Sequence, residues 1–424
     1  MGVTTLVRLL TSVFLFILLA RAWSVSEFGE FMYWFTVSSV VVLIVDFGLS
    51  QSLLRDVGRS PDKAGGALRA ALEGKLLLTT VVLLGCLGFC IAASLTFLQA
   101  SLFFLLVMTG VVASFAEAMN ATYRGLGLFQ SETKIVLFSN LVYFLLAALC
   151  LYYFKTEVAV AMGMLASRVA HCLISMSVFR VAACDAPYSA SFSRALLYVK
   201  KHFSFGLDAF LTNFYSSIDT ILVQHYLGSG AVGIYQAGVR LMQGGNTFAQ
   251  VLSNVYIPKI ARSQGDGPAL LSHMQGLLFF MVIVGGAVSL VFSFFQDPVV
   301  ALFYGERYQD LKGLLPFFGF LLFVRYVAAA YGVGLAGLGL QSRRVFGIVG
   351  ALVIFVLFGH VLVGRFQLYG LLAALIASTA FLMIYYARAL SLNGFLVRMG
   401  GRNRVLIGAL FLLLTAGLRG HLAF

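Results

Sequence analysis

Ser24-Val25-Ser26-Glu27-Phe28-Gly29-Glu30-Phe31 and Gly228-Ser229-Gly230-Ala231-Val232-Gly233-Ile234-Tyr235 each lead into a long apolar run. Gly29 and Gly233, Phe31 and Tyr235, and the cations Arg55 and Lys259 that close the two runs are each 204 residues apart. Two halves of similar build therefore follow one another along the chain. With an even number of helices per half such a repeat is parallel, related by an axis along the membrane normal, so two lobes facing each other across a central cavity are expected.

The apolar runs read as membrane helices. Of 424 residues 61% are hydrophobic and only 11% charged, with a mean hydropathy of +0.97, against ~45–50% and ~25% in a soluble domain. So few charges cannot cover an aqueous surface. Windows of ~19 residues, enough to cross ~30 Å of hydrocarbon, fall at 4–22, 31–54, 75–97, 100–123, 134–154 and 157–180, then at 203–227, 231–257, 272–296, 314–338, 345–364 and 368–388. The expected fold is all-α and polytopic, with twelve transmembrane helices in two six-helix lobes: 1–183, a cytoplasmic linker 184–202, then 203–394, with a tail 395–424. A short apolar segment in that tail, 405–418, is a candidate thirteenth.

Alternate loops differ in charge. Nineteen lysines and arginines, among them Arg59, Lys63, Lys75, Lys201, Arg262 and Arg343, fall on one side and five on the other. Cytoplasmic loops carry the excess, which puts the N-terminus and the linker in the cytoplasm. The same rule explains the net charge of +13 without nucleic acid. The first apolar stretch, 6–20, runs into Ala20-Arg21-Ala22 and looks like a signal peptide; its single upstream Arg and its counterpart in the second half argue that it is kept. Cys86, Cys90, Cys150, Cys172 and Cys184 are odd in number and lie in or beside apolar runs, so packing roles are expected, with no structural disulfide, metal or cofactor.

Charge inside a membrane is expensive, ~2.5–3.5 kcal/mol for a central Arg or Asp, so each such residue is a candidate. Arg168, Arg240 and Arg325 lie well inside their segments; Arg8, near a helix end, could also snorkel. Gln236, Arg240, Gln243, Thr247, Gln250 and Asn254 recur at i, i+4, i+7, i+11, i+14 and i+18, one polar stripe on an apolar helix. Asp208, Thr212, Tyr215 and Asp219 make a second, and Glu117, Asn120 and Arg124 a third. Lipid cannot satisfy such stripes, so they face water, a polar substrate or one another as hydrogen-bonded seams. The arginines could likewise be neutralised by Asp208, Asp219 or Glu117. Arginines in both lobes are what a carrier of an anionic headgroup by alternating access needs, since guanidinium grips phosphate bidentately and stays charged.

Some motifs are decoys. Gly332-Val333-Gly334-Leu335-Ala336-Gly337 has the spacing of a dinucleotide loop but lies inside a membrane helix, so a close-packing site or helix break is expected. His171 and His360 read as hydrogen-bonded core residues, and no Ser-His-Asp set, paired loop carboxylates or phosphate-binding loop is present.

Ser217-Ile218-Asp219-Thr220-Ile221-Leu222-Val223, Tyr226-Leu227-Gly228 and Ala231-Val232-Gly233-Ile234-Tyr235-Gln236-Ala237 with Arg240 resemble the central signature of Wzx-type polysaccharide flippases. These form a branch of the multidrug, oligosaccharidyl-lipid and polysaccharide (MOP) exporter superfamily. Glu27-Phe28-Gly29, Asp46-Phe47-Gly48-Leu49 at the end of helix two, Pro258, and Phe303-Tyr304-Gly305 with Tyr308 agree. The resemblance spans nearly the whole chain. It implies a V-shaped pair of lobes around a cationic lumen with Arg168, Arg240, Arg325 and Arg8 as candidates. It also implies export of undecaprenyl-pyrophosphate-linked oligosaccharide across a bacterial inner membrane, coupled to H+ or Na+ and accompanied by a polysaccharide polymerase complex. A multidrug exporter or another lipid-linked precursor exporter of the same fold is the alternative. A membrane glycan polymerase or ligase would need a large outward loop, and the longest here is about sixteen residues.

Overall fold

A computed structural model describes residues 2–178 and 192–392, and helix is the only extended regular structure among them. In chain order the helices are α1 (Gly2–Ala22), α2 (Val25–Asp46), α3 (Leu49–Arg59), α4 (Ala64–Ala92), α5 (Phe97–Gly125), α6 (Phe129–Phe154) and α7 (Glu157–Ser175). Then follow α8 (Phe192–Lys201), α9 (Phe203–Tyr215), α10 (Ile218–Arg262), α11 (Gly267–Phe294), α12 (Gln296–Phe303), α13 (Asp310–Gly337) and α14 (Gln341–Leu392). Eight helical stretches of the described chain are long and apolar enough to cross a membrane. The segment 405–418 and Cys184 lie outside the described residues.

Several starts follow from local sequence. Ser24 and Glu27 form a capping box before α2: Ser24 N donates to Glu27 Oε2 at 2.8 Å and Glu27 N donates to Ser24 Oγ at 3.2 Å. Thr96 and Gln99 do the same for α5, and each pair satisfies amide donors that a helix start leaves open.

Two long helices are hairpins. Tyr235 Oη donates to Asp219 Oδ2 at 2.6 Å and Gln236 Nε2 to Thr220 Oγ1 at 2.6 Å. Sixteen residues of straight helix would separate these groups by ~24 Å, so α10 doubles back, and it does so at Gly228, whose φ of 79° glycine alone adopts freely. In α14 the break is at Gln367 (φ 50°), and Tyr386 Oη reaches the Arg344 carbonyl at 3.3 Å from 42 residues away. With these reversals the twelve-crossing order is 2–22, 25–59, 64–92, 97–125, 129–154, 157–175, 203–227, 229–262, 267–294, 310–337, 341–366 and 368–392.

The second crossing departs from the continuous helix expected over 31–54. Phe47 (φ 34°) and Gly48 (φ 68°) adopt left-handed backbone and separate α2 from α3. The Phe47 ring is held against Phe203, centroids 5.5 Å apart, and against Gly206, where no larger side chain fits. The stripe expected along 208–219 is also interrupted, because α9 stops at Tyr215 and a turn, with Ser217 N bonded to Phe214 O at 3.0 Å, precedes α10.

The chain forms two compact units. One comprises the chain up to Trp23 together with Phe31–Ile218; the other comprises Ser24–Glu30 and the described chain from Asp219 onward. The first has a core of Leu49, Leu53, Val57, Leu68 and Met119. In the second, the glycines at 332–337 are a close-packing site: a Cβ on Gly337 would stand 2.7 Å from Ile260 Cγ2, and one on Gly334 would collide with Met274.

Candidate functional site

In the first unit a cleft of about 330 Å³ is lined by Ser38, Asp46, Ser114, Glu117, Tyr143 and Arg168, among others. The Arg168 guanidinium of α7 lies over the Tyr143 ring of α6, 4.2 Å from its centroid. Among the described residues no carboxylate is within ion-pair distance of Arg168. Glu117, which shares the cleft, is instead held by Arg124, whose Nη2 donates to Glu117 Oε1 at 2.5 Å and whose Nη1 donates to Glu132 Oε1 at 3.3 Å. An aromatic face stabilises guanidinium without neutralising it, so this cation remains available to an anion.

Asn120 is placed differently. It is fully buried, donates from Nδ2 to His171 Nε2 at 3.1 Å and accepts from Ser175 Oγ at 3.2 Å. The expected lumen-lining residue is a hydrogen-bonded seam between α5 and α7.

Asp46 and Lys75 form a pair whose partnership the sequence did not reveal. Lys75, read from sequence as a loop cation, is instead inside α4 with no exposed surface. Its Nζ donates to Asp46 Oδ1, to Ser114 Oγ at 2.6 Å and to Ser114 O at 2.9 Å, filling all three donors. Removing Lys75 from the loop count lowers the larger sum by one and leaves the asymmetry intact.

In the second unit the stripe of α10 divides along its length. Gln236, Arg240 and Thr247 are buried, Gln243 is half-buried, and Gln250 and Asn254 are exposed. Arg240 Nη1 donates to Gln243 Oε1 at 2.9 Å. Arg325, half-buried on α13, points Nη1 at Met242 Sδ at 4.0 Å. Asp219 accepts from Tyr235, from the Thr220 amide at 2.6 Å and from the Thr220 hydroxyl at 3.2 Å. Tyr304, outside the crossings, donates from Oη to the Ala237 carbonyl at 2.9 Å, one turn before Arg240; burial pushes its phenol well above the usual range, which keeps it a donor.

Arg168 and Glu117 thus share a cleft in the first unit, and Gln236, Arg240, Gln243, Asp219 and Arg325 gather in the second. Tyr215, half-buried on α9, belongs to the first unit and Asp219 to the second. The side chains of Arg8 and Asp208 lie outside the described residues. Sequence reasoning missed Lys75 and Tyr143; the available signal was one acid and one base in neighbouring apolar helices, which lipid tolerates only as a pair.

The helix order is that of a known class of membrane transporters. An inward-facing multidrug resistance MATE family transporter of the MOP superfamily is 18% identical, with 97% of this chain and 96% of that one aligned and a TM-score of 0.71. The lipid II flippase MurJ, in an inward closed conformation, is 13% identical over 98% of this chain and 92% of that one, TM-score 0.72. A MOP superfamily transporter from Pyrococcus furiosus, whose reversed binding-pocket polarity suggests a different function for it, is 16% identical over 96% and 95%, TM-score 0.67. The fold is therefore that of the MOP superfamily, a polytopic, all-helical membrane architecture. The chain belongs to the polysaccharide biosynthesis protein family, whose model matches residues 18–312. No curated protein matches the sequence.

Proposed function

We propose that this protein is a flippase that exports undecaprenyl-pyrophosphate-linked oligosaccharide repeat units across the bacterial inner membrane by alternating access, with an H+ or Na+ gradient as the drive and the N-terminus in the cytoplasm. Arg168 in the first unit is a group that takes the anionic headgroup, and Arg240 and Arg325 are the candidates for that role in the second unit, the lipid tail staying in the bilayer. Gln236 and Gln243 supply polar contacts to the sugar. The observation that carries the reading is Arg168, set in a cleft over Tyr143 and free of any carboxylate at ion-pair distance among the described residues.

A multidrug exporter of the same fold would want open acids for cationic cargo. Here Asp46 is bound to Lys75, Glu117 to Arg124, and Asp219 to Tyr235 and Thr220, which favours the anionic cargo.

The test is genetic. Deletion of the gene should cause lipid-linked repeat units to accumulate, and the wild-type chain should clear them. Arg168→Ala, Arg240→Ala and Arg325→Ala should each fail to clear them, with the lysine variants intermediate because lysine keeps the charge but not the bidentate fork. Full rescue by all three alanine variants would remove the binding role.

A further inference from the structure

A second pocket of the first unit, with charged groups in its lining, takes no part in the arrangement above. It has a volume of about 550 Å³ and is lined by Arg59 at the end of α3, Ser60 and Lys63 in the connection to α4, and Tyr198 and Lys201 of α8, with Asp56 as its one acid. Asp56 is already engaged, by His202 Nε2 at 3.2 Å and by Arg55 at 4.0 Å. Among the described residues, Arg59, Lys63 and Lys201 have no carboxylate within 4.0 Å. Three cations lining one pocket whose single acid is held by Arg55 and His202 repel one another and are stabilised together by an anion, with arginine supplying a fork and lysine a point charge.

The surroundings indicate which anion. Helix α8 is short and two-faced: Ala195 and Tyr198 are buried, Val199 packs on the core of α3 and α4, and Lys200 and Lys201 are exposed. Leu197 on the same helix and Phe203 just beyond it expose large apolar surface, 66% and 54%. A short helix that exposes both basic and apolar groups is suited to the level of lipid headgroups, where basic pockets beside membrane helices take anionic heads.

We propose that the pocket of Arg59, Lys63 and Lys201 binds the phosphate of an anionic membrane lipid, the headgroup among the three cations and the acyl chains against the apolar surface beside α8. This site is separate from the arginines of Arg168, Arg240 and Arg325, and its occupant is a resident lipid rather than cargo.

The full chain, purified in a neutral detergent from membranes containing phosphatidylglycerol, should carry that lipid, read by mass spectrometry of the intact complex. The variant Arg59→Gln/Lys63→Gln/Lys201→Gln, altered only at exposed positions, should retain at least tenfold less. A control with the same loss of charge at exposed sites elsewhere, Lys134→Gln/Arg262→Gln/Arg343→Gln, should retain as much as wild type. Equal retention by the pocket variant and wild type would overturn the proposal, as would equal loss in the control. A third arm adds inorganic phosphate to protein in phosphatidylcholine nanodiscs. Thermal stabilisation by phosphate there, with none from phosphatidylglycerol, would assign the pocket to a soluble anion and overturn the lipid. A circular dichroism spectrum unchanged in the pocket variant establishes that it folds.

Discussion

Gly29 and Gly233, equivalent positions in the two repeated stretches, pack on each other at a helix crossing. A Cβ on Gly29 would stand 2.8 Å from the Gly233 amide nitrogen and collide with the Ser229 carbonyl oxygen, and a Cβ on Gly233 would collide with the Val25 carbonyl oxygen. Val25 and Ser229 are themselves 204 residues apart, so the contact is reciprocal, as it is across a two-fold axis. Small residues at such crossings let backbones approach within a distance that any side chain would block.

Gly29→Ala and Gly233→Ala should each lower stability by about 1–3 kcal/mol, the usual range for overpacking, and toward its upper end because rigid backbone is what must move. Gly244→Ala on the same helix as Gly233, with no atom within 4 Å of its Cβ, is the control and should leave the protein unharmed. Thermal midpoints in detergent decide the matter; an unshifted midpoint for Gly29→Ala would refute the crossing.

Lys75→Met should lower stability by about 1–3 kcal/mol, because it leaves Asp46, half-buried and still accepting from Ser50 and Ser114, without its charge partner. The double variant Lys75→Met/Asp46→Asn should recover most of that loss, since a charge pair replaced whole is nearly neutral. The comparison is a double-mutant cycle on unfolding, and additive losses would show that the two groups are independent.

Asn120→Leu removes the partner of His171 and of Ser175. A stability loss of about 1–3 kcal/mol is expected, the consequence of leaving buried polar groups unsatisfied. Clearance of lipid-linked repeat units per folded molecule should stay close to wild type, because the Asn120 side chain is engaged by His171 and Ser175. Loss of clearance with unchanged stability would instead place it at the substrate.

Arg124→Gln should free the Glu117 carboxylate to turn on Arg168 across the cleft they share. Clearance should fall at least tenfold, and Arg124→Gln/Glu117→Gln should restore it to within about threefold, a recovery of about 0.7 kcal/mol by the free energy per decade. Identical defects in the single and double variants would show that Glu117 does not control the charge of Arg168.

The polarity of each helix was legible in the sequence, and so were the twelve crossings and the repeat. Breaks and partners were harder. A pause at 216–217 separates Tyr215 from Asp219 although their spacing fits one helical face, because periodicity assumes a helix that does not stop. The left-handed pair Phe47 and Gly48 was hidden for the same reason, being set by the packing of Phe203 and Gly206, which lie far along the chain. Lys75 looked like a loop residue because a charge at the edge of an apolar run gives no sign of whether its partner is water or Asp46. The stripe of Glu117, Asn120 and Arg124 was visible, but only the arrangement of α6 and α7 shows that Glu132, His171 and Ser175 complete it.

Lys75 also constrains how the chain is made. A lysine with its charge inside α4 opposes insertion of that helix by ~2.5–3.5 kcal/mol until a carboxylate is at hand, and Asp46 is synthesised 29 residues earlier. Pairing with the second crossing relieves that cost as the third arrives, so a nascent chain shortened to remove Asp46 should insert α4 less efficiently.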